Sequence, residues 1–341
     1  MIFGVASLHA MVAQLSPARL LNASRIFFSY HRSKRLGLPR MSGLPVAMSI
    51  EPTTACNLRC PECPSGLRSF SRPTGMLDQE LYRKIIADVA PHLQYLTFYF
   101  QGEPFLHPKF LDMVRYAADH KIFTATSTNG HYLSKDTAKR VVESGLHRMI
   151  ISVDGATQAS YEAYRVGGKL DKVWEGLQNL VDAKKAANSA FPELVVQALV
   201  LKPNEKELPL IARKAKEIGA DKVVMKTAQI YAPGDDHPLI LENDARSRYR
   251  KLPDGTWEIR GELMNHCWRM WQGCVVTWDG KVVPCCFDKD AQHVLGDFQH
   301  QTMKEIWYGE RYQQFRASIL RSRKEIDICT NCTEGTSVWA N

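Results

Sequence analysis

No stretch of the 341-residue chain approaches eighteen consecutive apolar residues, the length of a helix that crosses a bilayer, so no membrane span is expected. The positively charged start of a secretory signal is also missing. The first twenty residues, MIFGVASLHAMVAQLSPARL, are moderately apolar but interrupted by His9 and Gln14. They read as an amphipathic helix, with a peripheral membrane or partner contact as the alternative. Acidic residues are absent before Glu51, and over that span Arg19, Arg25, Arg32, Lys34, Arg35 and Arg40 supply six of the net charge of +8. The run reads as a solvated basic face; no nucleic-acid motif accompanies it, and no nucleic-acid partner is expected. Cysteine is missing between Cys63 and Cys267: of nine, three crowd together in the first fifth of the chain and six fall in the last quarter. That distribution argues against a disulfide framework and for metal or redox chemistry in a cytoplasmic protein.

The chain is long enough for one large domain plus a small one, and 45% hydrophobic residues fit a globular protein. Strand-like segments run from Val46 to Glu51, Tyr95 to Phe100, Phe123 to Thr128, Arg148 to Asp154, Leu194 to Leu201 and Lys222 to Thr227. Helix-like segments lie between them, from Asp78 to Val89, Pro108 to His120, Ser134 to Ser144, Asp171 to Ala187 and Glu205 to Ile218, with Asp78 and Ser134 as caps. Strict alternation of this kind predicts an α/β fold with a parallel sheet covered by helices, whose functional groups gather at the carboxyl ends of the strands. After about residue 230 the rhythm breaks at Pro233-Gly234-Asp235-Asp236. The segments VVTW and KVVPCC flanking Asp279-Gly280 then read as a β-hairpin. The expected division is 1–45 as a basic helical extension, 46–230 as the parallel core, and 231–341 as a small second domain.

The first strand runs into Glu51-Pro-Thr-Thr-Ala-Cys56-Asn57-Leu58-Arg59-Cys60-Pro61-Glu62-Cys63. Three thiolates within eight residues suit three irons of a four-iron cluster, leaving the fourth iron open. The rival is zinc, which takes four ligands in paired arrangements, whereas this is an unpaired triplet with no histidine before His92 from within the loop onward. The CxxxCxxC spacing, the flanking CNLRC and the position after strand one resemble the radical S-adenosylmethionine superfamily. The position before the third cysteine, often aromatic in that family, is here Glu62.

The resemblance implies a partial (β/α)6 barrel and a 4Fe-4S cluster at Cys56, Cys60 and Cys63 whose open iron is chelated by S-adenosylmethionine. Reductive cleavage would give a 5′-deoxyadenosyl radical that abstracts a substrate hydrogen. By the same resemblance Gly102 and Glu103 receive the methionine amino group. Ser127, Asn129, Ser152 and Asp154 contact the ribose and carboxylate, and Arg165 pairs with the carboxylate. Leu199 to Leu201 and Val224 to Lys226 fall near the adenine, although most read equally as core; Lys226 stands out as a charge near the end of a buried strand.

Cys267, Gly280, Cys285 and Cys329-Thr-Asn-Cys332 resemble the opening and closing of the SPASM extension in its truncated, twitch-like form. The resemblance implies one auxiliary 4Fe-4S cluster on Cys267, Cys285, Cys329 and Cys332, with a zinc ribbon as the alternative. Cys274 and Cys286 are left over, and the choice between the adjacent Cys285 and Cys286 stays open because neighbouring strand residues face opposite ways. The expected activity is that of a radical oxidoreductase drawing electrons from a flavodoxin or ferredoxin. Its expected substrate is a small molecule such as a sugar or cyclitol. A peptide-modifying maturase and a non-catalytic zinc or electron-transfer protein are the alternatives. No general base stands out.

Overall fold

The computed structural model describes residues 4–241 and 246–334. Six parallel strands form its core: β1 (Ala47–Ile50), β2 (Tyr95–Thr97), β3 (Phe123–Thr128), β4 (Arg148–Ser152), β5 (Glu193–Val200) and β6 (Lys222–Thr227), each paired with the next. The helices between them start where the caps predict. Asp78 accepts from the Glu80 and Leu81 N–H groups ahead of helix Gln79–Val89, and Ser134 accepts from Thr137 ahead of helix Lys135–Glu143.

Beyond β6, β7 (Tyr249–Lys251) and β8 (Trp257–Ile259) form a separate antiparallel pair. The hairpin expected in the second domain does not stand apart. Its first strand, β9 (Gly273–Val276), pairs in parallel with β1, and β10 (Lys281–Val283) and β11 (Gly296–Asp297) follow antiparallel, giving one nine-stranded sheet ordered β11-β10-β9-β1-β2-β3-β4-β5-β6. Gly273 permits the junction: a Cβ there would lie 2.2 Å from the Ala47 carbonyl oxygen.

Alternation along the strands separates two environments. Met48, Ile50, Leu96, Met149, Ile151 and Val196 point outward into the main core under the helices. On the opposite face Ser49, Thr97, Tyr99, Ser127, Gln197 and Lys226 are only half-buried, so the inside of this partial barrel is a polar lumen.

The amino-terminal segment is two helices, Val5–Ala13 and Pro17–Leu36, because Ser16 caps the second by accepting from Arg19 N–H and Pro17 fits its first turn. Arg19 is buried, and its guanidinium donates to the carbonyls of Gln14, Ala90, His120 and Lys121. Glu193 accepts from Gly4 N–H at 2.8 Å and Ser7 Oγ at 2.9 Å. Both anchors lie at the amino ends of the strands, opposite the cysteine loop.

Two buried carboxylates brace the carboxyl end. Glu51, at the exit of β1, forms a two-point pair with Arg72 at 2.6 and 2.8 Å and accepts from the Trp278 N–H at 3.2 Å. One side chain thus ties the cysteine loop to the β9–β10 turn. Glu103, after β2, accepts from Thr128 Oγ1 and from the Asn129 N–H, each at 2.8 Å. Burial pushes its carboxyl up to about 7 despite those donors.

Replacing Arg72 with methionine strands the Glu51 charge and is expected to cost roughly 3–5 kcal/mol, read from urea denaturation. The Glu103 proton is held to higher pH in the folded protein than in the unfolded chain, where the ordinary value of 4.5 applies. Stabilisation from it is therefore full below 4.5 and lost as pH rises through about 7. Glu103→Gln is expected to flatten that fall when urea midpoints of the two proteins are compared across the range.

Candidate active site

The cysteine loop is held from several sides. Thr53 Oγ1 donates to the Gly75 carbonyl at 3.1 Å, and Gly75 N–H donates to Thr54 Oγ1 at 2.9 Å. Arg68 Nη2 donates to the Cys56 carbonyl at 2.6 Å, and Arg59 N–H donates to the Val166 carbonyl at 3.0 Å. Gly66 lets the following short turn pack directly on the loop, since a Cβ there would sit 2.5 Å from backbone atoms of Cys60. So fixed, Cys56, Cys60 and Cys63 line one cavity of about 230 Å³ with Tyr99, Gly102, Ser127, Asn129, Ser152 and Arg165.

Gly102 has φ +75°, and a Cβ on it would lie 2.2 Å from the Thr53 carbonyl oxygen, so only glycine lets the β2 loop approach the cysteine loop. Asn129 Nδ2 donates to Asn57 Oδ1 at 2.7 Å and lies 4.0 Å from Cys56 Sγ. Arg165 Nη1 lies 4.0 Å from Cys60 Sγ. Ser127 and Ser152 reach the cavity from β3 and β4. Glu103 also lines it, but with both oxygens engaged by the neighbouring loop.

Asp154 is placed differently. It is fully buried and outside the cavity lining; Oδ2 accepts from Arg165 Nε at 2.5 Å and Oδ1 from the Leu199 N–H at 2.6 Å. It stands behind Arg165 and aims the guanidinium. Leu199 and Leu201 pack beside Leu58 and Cys60, whereas Val200 turns into the outer core. Glu62 is a latch: Oε2 accepts from the Tyr231 N–H at 2.8 Å, and Oε1 lies 3.4 Å from His237 Nε2.

A second thiol set gathers at the other end of the sheet. Cys329 and Cys332 share one tight turn, the Cys332 N–H donating to the Cys329 carbonyl at 3.1 Å. Cys267 lies within electrostatic range of both, and Cys285 within range of Cys267 and Cys332. Cys286 is exposed and lies within range of Tyr99, Lys226 and Arg269. Of the adjacent pair, Cys285 is the one within range of Cys267 and Cys332. Cys274 is in the core of β9 opposite Met48, beside Arg316, and burial pushes it up to about 12.

Sequence reasoning missed several supporting residues. Arg323, buried, donates from Nη1 to the carbonyls of Met264, His266 and Glu334, clamping the Cys267 segment to the Cys329–Cys332 segment. Nothing local in the sequence marks it. Tyr99 was legible, since it continues the inward alternation of Tyr95 and Thr97. Lys289 Nζ donates to Tyr231 Oη at 2.7 Å and lies within range of both Cys63 and Cys286, between the two thiol sets.

The donor chemistry fits iron–sulfur clusters. Burial raises Cys56, Cys267, Cys285 and Cys329, pushes Cys60 up to about 11 and Cys332 up to about 12, so these thiols are poor free nucleophiles that need a bound cation to ionise. At the second set Arg323 supplies matching positive charge. It lies within range of Cys267, Cys329 and Cys332, close enough to Cys329 for a side-chain hydrogen bond. Among the described residues no three His, Cys, Asp or Glu side chains close around a single metal ion.

Comparison with known proteins agrees with this donor chemistry. The Radical SAM superfamily model matches residues 50–217, and the SPASM model, an iron-sulfur cluster-binding domain, matches residues 267–333. A tungsten-containing aldehyde ferredoxin oxidoreductase cofactor-modifying protein of Pyrococcus furiosus is 26% identical over 314 residues, covering 83% of this chain and 86% of that protein. Mycofactocin maturase MftC of Mycobacterium tuberculosis is 30% identical over 52% of this chain and 43% of its own length. A PqqA peptide cyclase of Rhodopseudomonas palustris is 26% identical over 55% and 48%. In fold, the chain resembles BtrN in complex with AdoMet and 2-DOIA, with TM-score 0.55 and 18% identity over 88% of this chain and all of that one. It also resembles Streptococcus suis SuiB bound to S-adenosylmethionine, with TM-score 0.63 and 13% identity over 93% and 77%. With its cysteine loop at the head of a parallel partial barrel and a second thiol set joined to the same sheet, the chain belongs to the radical S-adenosylmethionine superfamily, among the enzymes that carry a SPASM iron–sulfur domain.

Proposed function

We propose that this enzyme abstracts a hydrogen atom from a small, non-polymer substrate held in the lumen between its two thiol sets. The bound 4Fe-4S cluster and S-adenosylmethionine supply a 5′-deoxyadenosyl radical; the protein positions and shields. Cys56, Cys60 and Cys63 would ligate the first cluster. Gly102, Ser127, Asn129, Ser152 and Arg165 would hold S-adenosylmethionine, with Asp154 acting through Arg165. Cys267, Cys285, Cys329 and Cys332 would ligate an auxiliary cluster that accepts an electron from the substrate radical or binds substrate. A flavodoxin or ferredoxin would feed the first cluster.

The observation that carries this reading is the polar lumen: Tyr99 lines the first cavity, and both Tyr99 and Lys226 lie within electrostatic range of Cys286, next in sequence to Cys285 of the second thiol set. The choice of a small substrate, a sugar or cyclitol being one kind, is supported by where the similarity runs. The cofactor-modifying relative aligns along 83% of this chain, whereas the peptide cyclase aligns along 55%. The cyclase's name keeps a peptide substrate as the second reading.

Anaerobic reconstitution is expected to give about eight irons per chain and dithionite-dependent 5′-deoxyadenosine. Cys56→Ala should abolish 5′-deoxyadenosine. Cys285→Ala should lose about four irons yet keep some uncoupled cleavage, while Cys286→Ala should keep all of its iron. A colourless protein holding only zinc overturns the reading, and iron loss in Cys286→Ala rather than Cys285→Ala overturns the auxiliary assignment.

A further inference from the structure

The two amino-terminal helices present a surface that the proposed chemistry does not use. Of the sixteen large apolar side chains that stand exposed on the described chain, nine fall between Val5 and Leu38. On helix Pro17–Leu36 they have a definite direction. Ile26, Ser29, Tyr30 and Ser33 are buried against the protein, and Leu20, Leu21, Phe27 and Phe28 lie on the opposite side of the helix, half or more exposed. A helix on the surface of a globular protein normally turns polar residues outward. This one buries serines as well as Ile26 and Tyr30 against the protein, yet turns four large apolar side chains toward solvent. Val5, Leu8 and Val12 continue the exposed face along helix Val5–Ala13 at spacings of three and four.

Charge identifies the occupant. Arg25, Arg32, Lys34 and Arg35 are all exposed beside that stripe, and neither helix contains a carboxylate. Aromatic and aliphatic tips with flanking cations and no acid match the boundary between the acyl chains and headgroups of an anionic bilayer, where long basic side chains reach up to phosphates while the apolar face sinks below them. A second protein chain would need buried partners for these cations. A lipid surface supplies phosphate at every headgroup and leaves the cations wet.

We propose that helices Val5–Ala13 and Pro17–Leu36 form a docking face for an anionic lipid surface, with Phe27 and Phe28 as its deepest apolar anchors. The anchors already described make the arrangement rigid: Arg19 and Glu193 fasten both helices to the amino ends of the strands. The enzyme would dock with this end down. The cysteine loop, at the opposite end of the strands, would face away from the lipid and stay open to S-adenosylmethionine and electron donor. Such docking suits an enzyme whose substrate or electron donor is concentrated at a membrane, and it stands whether or not the substrate reading above is right.

The test is sedimentation of the reconstituted holoenzyme with vesicles of phosphatidylcholine alone or with about one-third phosphatidylglycerol. Binding is expected only to the mixed vesicles and should weaken about fivefold for each of Arg25, Arg32 and Arg35 changed to glutamine. It should also fall as salt is raised. The double variant Phe27→Ser/Phe28→Ser should lose binding at least tenfold. Because both rings are exposed, that variant should keep its iron content and its 5′-deoxyadenosine yield, which separates lost docking from lost folding. No binding by the parent protein, or equal binding by parent and double variant, overturns the proposal. So does a concentration-dependent dimer that the double variant abolishes without any vesicle binding, since the face would then belong to a second copy of the chain.

Discussion

The geometry of both thiol sets rests on the carboxylate of Glu51. It sits at the end of β1 with no exposure, and burial raises its proton affinity even with Arg72 bonded to both oxygens. Such a charge is tolerated only because every strong donor nearby is turned toward it. Arg72 comes from the segment after the cysteine loop and Trp278 N–H from the β9–β10 turn. Satisfying one buried anion therefore fixes three chain segments at once. The loop that carries Cys56 to Cys63 leaves from one side of it, and the strand that leads to Cys285 leaves from the other.

The same economy governs the cavity. Polar side chains that reach it are held by their neighbours: Asp154, outside the cavity, aims Arg165, Glu103 holds the backbone of Asn129, and Asn129 in turn holds Asn57 beside Cys56. Arg165 and Asn129 are thus already oriented by hydrogen bonds within the protein, which lowers the cost of reorganisation when a charged cofactor arrives. At the second thiol set the logic is electrostatic. Arg323 is buried among Cys267, Cys329 and Cys332, an arrangement that makes sense once those sulfurs carry negative charge.

Much of this was legible before the fold was known. The strands announced themselves because apolar residues sit under helices on one face, and helix starts because Asp78 and Ser134 bond their own first turns. The three-cysteine loop was legible because its ligands fall within eight consecutive residues. Long-range choices were not. Nothing in Val275–Val283 tells that β9 lies beside β1 rather than in a separate sheet, since a parallel pairing across more than two hundred residues leaves no local pattern. Asp154 read as a ligand contact because a carboxylate at a strand end looks the same whether it faces the cavity or an arginine. The break between the amino-terminal helices was in plain view at Ser16-Pro17, a start signal that a single amphipathic helix overlooks.

The parallel pairing of β9 with β1 has one more effect. Without it, β1 would be an outermost strand presenting unpaired N–H and C=O groups next to an apolar core, the kind of edge that recruits other chains into aggregates. The last third of the sequence therefore caps the barrel as well as carrying thiols, and the first 230 residues taken alone would lack a protected flank. Swapping that terminal segment between relatives to change reaction type would succeed only where the incoming piece brings its own strand to lie against β1.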